Sequence, residues 1–140
     1  MTPSISLHAH DDKTRSSLMP INKAYPIDSV IAAAKDYAEK TGRRVVFEYA
    51  LIGGVNDSLA DAGALAKKLR GIMCHVNLIP LNPVPERVLN GVTRPEADRF
   101  AARLTERNIS ATVRREMGTD IEGACGQLRR RILHEIRGEN

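Results

Sequence analysis

Residues 44–54 read Arg44-Val45-Val46-Phe47-Glu48-Tyr49-Ala50-Leu51-Ile52-Gly53-Gly54. β-branched and aromatic side chains favour extended backbone. The run is apolar at odd and even positions alike, Glu48 excepted, as expected of a parallel strand buried on both faces. Gly53-Gly54 ends it. What flanks the run then decides the fold class, because a parallel strand needs crossover helices on either side. Before it, Ile27, Val30, Ile31, Ala34 and Ala38 fall on one helical face, with Pro26 placed as a first helical residue and Gly42 as a C-terminal breaker. After it, Asp57 suits an N-cap for a helix that turns Leu59, Ala62, Leu65, Ala66 and Leu69 inward and closes at Gly71.

The same alternation extends outward. Ser4 to His8 reads as a strand ending at the turn-forming pair Asp11-Asp12, and Asp12 to Leu18 as a short helix stopped by Pro20. His75 to Leu81 is the next strand, cut by Pro80 and Pro83. Thr93 and Pro95 open a helix with Ala97, Phe100, Ala101 and Leu104 inward, and Ile109 to Arg114 is the last strand. A Gly-containing loop and a basic helical tail from Gln127 to Arg137 follow. Strand and helix thus alternate four times, which predicts an α/β fold with a parallel sheet and right-handed crossovers. The chain opens directly inside a strand, so it reads as the C-terminal half of a parallel β/α, partly TIM-like barrel. Residues 1–117 form that half-barrel and 118–140 a C-terminal loop and tail.

Composition bounds the rest. With 140 residues, 42% of them apolar, the chain is one domain or a piece of one, and with no Trp, three Tyr and two Phe its core must be aliphatic. No run approaches the ~20 apolar residues of a membrane span, and the N-terminus carries no secretory signal. Two cysteines are too few for a disulfide scaffold, and the chain reads as cytoplasmic. A net charge of +4 suits an anionic partner but does not identify one.

Parallel β/α folds carry their sites at the C-terminal ends of strands. Ser6, His8 and His10 stand after the first strand, Asn56 and Asp57 after the second, Asn77 and Asn82 on the third, and Gly118, Asp120 and Cys125 after the fourth. His8-x-His10 reads either as a metal pair or as strand-end histidines in hydrogen bonds, and with no third ligand at metal-site spacing the second is preferred. Glu48 is either a barrel-interior site residue or a structurally paired core carboxylate. Cys74 leads into an apolar strand and reads as a small hydrophobe. Cys125 differs. Small neighbours in Gly123-Ala124-Cys125-Gly126 leave its sulfur accessible, and Arg114, Arg115 and Arg129 to Arg131 favour thiolate. The tail's basic run reads as a solvated helix face, with no aromatic platform for stacking bases.

Five blocks of the sequence resemble one family in order and spacing. They are Ser6-Leu7-His8-Ala9, Met19-Pro20-Ile21-Asn22-Lys23, Phe47-Glu48-Tyr49 with Gly54-Val55-Asn56-Asp57, Cys74 to Pro83, and Gly118-Thr119-Asp120-Ile121 leading into Ala124-Cys125-Gly126-Gln127-Leu128. Together they are similar to the RlmN/Cfr family of radical-SAM RNA adenine methyltransferases, and within it to the enzymes acting on carbon 2 of adenine in ribosomal and transfer RNA. The resemblance implies a radical-SAM barrel using S-adenosylmethionine and a [4Fe–4S] cluster. It implies S-adenosylmethionine contacts from Ser6, Leu7, His8 and Asn82, and Cys125 as the methyl-carrying cysteine. In the implied mechanism Cys125 takes a methyl group from one S-adenosylmethionine. A radical made from a second abstracts hydrogen from that methyl, the carbon radical adds to adenine, and another cysteine resolves the adduct.

The family's Cys-x3-Cys-x2-Cys motif, its resolving cysteine and its Gly-Glu segment do not occur in these 140 residues, and the loop from Pro85 to Val92 lacks the Gly-x-Pro-Tyr pattern of the family. The expectation is therefore a C-terminal part, inactive alone, whose partners are ribosomal RNA, transfer RNA and the N-terminal half of the barrel, with no metal ligand of its own and no membrane. Two other readings stand beside it: a non-catalytic RNA- or partner-binding half-barrel, and an unrelated thiol enzyme using Cys125.

Overall fold

A computed structural model describes residues 2–19, 24–80 and 92–114. Its elements run β1 (Ser4–Ser6), α1 (Asp12–Leu18), α2 (Ile27–Thr41), β2 (Val45–Leu51), α3 (Leu59–Leu69), β3 (Cys74–Pro80), α4 (Arg94–Glu106) and β4 (Ser110–Val113). The four strands form one parallel sheet in the order β1-β2-β3-β4. The α/β parallel fold expected from the alternation is therefore present, each strand lying beside its sequence neighbour.

The helix ends show where local chemistry overrode the sequence reading. Pro26 is the N-cap of α2 rather than its first residue. Pro has no side-chain acceptor, and the carboxylate of Asp12 on α1 takes the Ile27 N–H instead, at 2.8 Å. The N-cap of α3 is Ser58, not Asp57: its hydroxyl accepts from the Asp61 N–H while the Asp61 carboxylate accepts from the Ser58 N–H, a reciprocal capping box. Asp57 turns back to accept from the Gly54 N–H. Helix α4 starts with a second capping box, Thr93 with Glu96. Strand β1 is shorter than expected, because the chain leaves the sheet before His8, whose φ is +60°.

One face of the sheet is closed. Val45, Phe47, Tyr49 and Leu51 of β2 and Cys74, Val76 and Leu78 of β3 pack under Ile31 and Ala34 of α2, Leu65 and Leu69 of α3, and Phe100 and Leu104 of α4. The rings of Tyr49 and Phe100 meet at a centroid distance of 5.3 Å. Burial of each large side chain stabilises the fold by ~1.5–3 kcal/mol.

The other face corrects the expectation of a strand buried on both sides. Val46 and Glu48 on β2, and His75 and Asn77 on β3, are only partly buried, and Ser4, Ser6, Ser110 and Thr112 are exposed. All the helices that pack on the sheet core do so from one side, leaving this polar side open, as half of a barrel would. Among the described residues β1 and β4 are the sheet edges.

Candidate functional site

Strand register builds the open face into rows. Ser6, Glu48, Asn77 and Thr112 are cross-strand neighbours in one row, and Ser4, Val46, His75 and Ser110 form the row beneath. The alternation that buries Phe47 and Tyr49 sets Glu48 on the opposite side, where its carboxylate accepts from the Ser4 hydroxyl at 3.1 Å. Glu48 is therefore no core carboxylate: it is partly buried on the open face and paired with the Ser4 hydroxyl. The His75 ring lies between two hydroxyls, Nδ1 2.7 Å from Ser110 Oγ and Nε2 2.8 Å from Thr112 Oγ1. Burial and then the charge of Arg44 lower its pKa from the ordinary value, favouring the neutral ring.

The C-terminal ends of β1 and β2 meet in a tighter polar cluster. Arg15 of α1 is buried and caps the end of β1: Nε donates to the Leu7 carbonyl at 3.1 Å, one terminal nitrogen to Ser6 O at 3.1 Å and the other to Tyr25 O at 3.2 Å. Asn56 is buried too. Its Nδ2 donates to His8 O and Ala50 O, both at 2.8 Å, and its Oδ1 accepts from the Ile52 N–H at 2.8 Å. The Tyr49 hydroxyl donates to the Asn56 carbonyl at 2.7 Å, and burial raises the Tyr49 pKa well above its ordinary value, so it stays a donor. The Ala50 N–H donates to Nδ1 of His8 at 2.9 Å. Burial first, and Arg15 second, push the His8 imidazole down to about 4.

The expected site residues are distributed as follows. Ser6 is exposed on the open face, and His8 stands partly buried at the rim two residues on. The Leu7 side chain points into the core and is fully buried; its N–H donates to Glu48 O and its carbonyl accepts from Arg15, so only backbone of Leu7 reaches the rim. Asn77 lies mid-strand beside Glu48 rather than at the rim. His10 Nε2 is 3.0 Å from Asp61 Oδ1 and 3.6 Å from Asp11 Oδ2. The rings of His8 and His10 are thus engaged with different partners, and among the described residues no group of three or more His, Cys, Asp or Glu could hold a metal ion. Cys74 is buried, and burial pushes its thiol up to about 11, against the pull of Arg44. Asn82, Gly118, Asp120, Cys125, the tail helix and the 117/118 division lie outside the described residues.

Sequence reasoning missed Arg15 and Asp61. A lone Arg in a seven-residue polar helix carries no signal of burial. The role of Asp61 as N3 of a capping box was legible from Ser58, but its contact with His10 spans 51 residues and was not. A separate groove of about 360 Å³, lined by Gly63, Ala66, Lys67, Arg70, Arg107 and Asn108, lies away from the rim, beside the residues that lead into β3 and β4.

With this geometry in hand, the chain can be set beside known proteins. It is 50% identical over 133 residues to a Pelotomaculum thermopropionicum protein named "Probable dual-specificity RNA methyltransferase RlmN", a match covering 94% of this chain and 36% of that protein. It superposes on the crystal structure of a radical SAM methyltransferase from Sphaerobacter thermophilus with a TM-score of 0.80 and 53% identity, over 91% of this chain and 37% of the other. The chain thus resembles one portion of RlmN-named RNA methyltransferases and of a radical SAM methyltransferase. It spans little more than a third of the length of these relatives. A domain of a Bacteroides vulgatus pyruvate-formate lyase-activating enzyme shares the fold at a TM-score of 0.63 and 18% identity, over 79% of this chain and 65% of that one. No protein-family model matches the chain. Helices on one side of the parallel sheet and polar side chains on the other fit the partial-barrel fold of these solved neighbours, with the open face as the barrel interior. No helix among the described residues is long and apolar enough to cross a membrane.

Proposed function

We propose that this chain is the C-terminal part of a radical-SAM enzyme that methylates carbon 2 of an adenine in ribosomal RNA and transfer RNA, with Cys125 carrying the methyl group. The observation that carries the reading is the 53% identity, with matching fold, to a solved radical SAM methyltransferase over nearly the whole chain. The polar open face supports it, since a barrel interior that binds no polar ligand would be lined with apolar side chains.

The residues present fit S-adenosylmethionine. Ser6 and His8 would hold it at the rim of β1, with Asn82 beyond β3, and when bound it supplies the methyl group. Within the chain, the Arg15 guanidinium and the Asn56 amide hold the backbone of Ser6, Leu7 and His8 in place. Neutral His8 offers a hydrogen bond without adding charge beside Arg15. Cys125, flanked in sequence by small residues and with arginines close along the chain, would act as thiolate and leave room for a base to approach its sulfur. The chain does not fit a [4Fe–4S] cluster: it has two cysteines, one of them, Cys74, buried in the core. The 140 residues alone are expected to be inactive.

A chimera tests the reading. This segment replaces the matching portion of the Pelotomaculum thermopropionicum relative, and RNA nucleosides are analysed by mass spectrometry after incubation with S-adenosylmethionine and reductant. C2-methyladenosine from the chimera, and none from the 140-residue chain alone, is the expected result. A folded, cluster-loaded chimera that produces none refutes it. The groove lined by Lys67, Arg70 and Arg107 favours a second reading, a non-catalytic polyanion-binding module. That reading predicts an inert chimera that still retains RNA in a salt-sensitive manner.

A further inference from the structure

Asn56 does more than close a turn. Its amide spends both donor hydrogens and one acceptor position on backbone groups of two different segments: His8 O, Ala50 O and the Ile52 N–H. Ala50 is also the residue whose N–H meets His8 Nδ1, at 2.9 Å. One side chain therefore holds the His8 carbonyl and the carbonyl of Ala50, the residue whose N–H meets the His8 ring. The geometry fixes the proton on that ring. A backbone N–H can only donate, so Nδ1 must present its lone pair, and the proton of the neutral imidazole is on Nε2. Nε2 has no hydrogen-bond partner among the described residues, and the ring is only partly buried. His8 also holds a left-handed φ of +60°, a conformation that costs a non-glycine residue about 1 kcal/mol or more and persists only where surrounding bonds impose it.

We propose that Asn56 is a positioning residue that locks His8 as a hydrogen-bond donor through Nε2–H, so that the rim of β1 takes a ligand atom that accepts a hydrogen bond and rejects one that can only donate. The ligand half of this inference rests on reading the rim as the S-adenosylmethionine side; the tautomer and the role of Asn56 do not. Asn56 is suited to the task where its isostere is not. Aspartate keeps an acceptor for the Ile52 N–H but sets a carboxylate oxygen against the His8 and Ala50 carbonyls. A residue that merely filled the turn would leave the state of the His8 ring unchanged when replaced.

The experiment is 15N NMR of the ring nitrogens in the full 140-residue chain, followed through a pH titration. At neutral pH the His8 signals should show a bare Nδ1 and a protonated Nε2, with a correlation across the hydrogen bond from the Ala50 amide. Asn56→Asp should give a mixture of tautomers and return the His8 titration toward the ordinary histidine range. Asn56→Ser, which keeps a small hydrogen-bonding side chain, gives the second comparison should the aspartate variant fail to fold. A protonated Nδ1 in the wild-type chain overturns the proposal, as does an Asn56 variant, folded, whose His8 signals are unmoved. S-adenosylmethionine is then titrated in as the probe. A shift of the His8 Nε2–H supports the ligand assignment, and His8→Asn, which keeps an acceptor for Ala50 but whose shorter amide leaves no donor at the Nε2 position, should weaken binding about tenfold. The correct tautomer with no response to S-adenosylmethionine leaves the positioning role standing and counts against the functional reading instead.

Discussion

Replacing His8 by asparagine should flatten the acid side of the stability profile. The ordinary histidine pKa of 6.5 falls to about 4 in the folded chain, because burial and the Arg15 guanidinium both disfavour the imidazolium. Above pH 6.5 neither folded nor unfolded chain holds this proton, and the stability associated with the neutral ring is fully present. As pH falls from 6.5 toward 4 the unfolded chain takes up a proton that the folded chain refuses, and that stability is lost at up to ~1.4 kcal/mol per pH unit. The full span corresponds to about 3 kcal/mol, and partial solvent screening of the ring reduces it to about 2 kcal/mol. Asparagine tolerates the left-handed backbone at this position and offers Oδ1 to the Ala50 N–H, so the variant should keep the fold without the titration. Other groups lowered in the folded state, such as Glu96 beside the Thr93 hydroxyl and His75 through burial and then Arg44, are common to both proteins and cancel in the comparison. Urea denaturation at pH 7.5, 6, 5 and 4.5 reads the effect. The wild-type chain should lose about 2 kcal/mol more than His8→Asn across that range. Parallel profiles would refute the claim that the folded chain holds His8 in its neutral form.

Three further outcomes follow from the same geometry. Arg15→Met fills the space but strands the Ser6, Leu7 and Tyr25 carbonyls, and should cost about 3–5 kcal/mol in urea denaturation. Tyr49→Phe keeps the ring against Phe100 and loses only the hydroxyl bond to the Asn56 carbonyl, so it should cost about 1–2 kcal/mol. Iodoacetamide at pH 7.5 should label Cys125 well before Cys74, whose thiol burial pushes up to about 11; peptide mapping showing Cys74 labelled first would reverse the assignment.

The sheet was legible because its signals are local. Val, Phe and Tyr density between glycines marks β2, and apolar spacing marks α2, α3 and α4, so α/β alternation and parallel pairing followed. Helix starts were less so, since N-caps compete: Asp57 and Ser58 are both good caps, and the choice fell to whichever had a carboxylate three residues on. Strand β2 misled about burial, because Val46 is apolar while the face it shares with Glu48 is open. At the rim, Ser6, His8 and Asn56 were visible as polar residues at strand ends. The bonds that organise them were not: Arg15 reaches back 8 residues to Leu7, Asn56 reaches back 48 to His8, and Ala50 reaches His8 across 42. Nothing in residue type or spacing encodes such contacts until the sheet has brought β1 and β2 together.

Cys125 is the residue on which the proposed methyl transfer depends. The chimera carrying this segment is incubated with isotopically labelled S-adenosylmethionine, digested, and the two cysteine-containing peptides are compared by mass spectrometry. The expected result is one labelled methyl group on Cys125, none on Cys74, and loss of C2-methyladenosine in Cys125→Ala with Cys74→Ala retaining most of it. Methylated adenine formed with Cys125 replaced, or label found on Cys74 in a folded chimera, would contradict it.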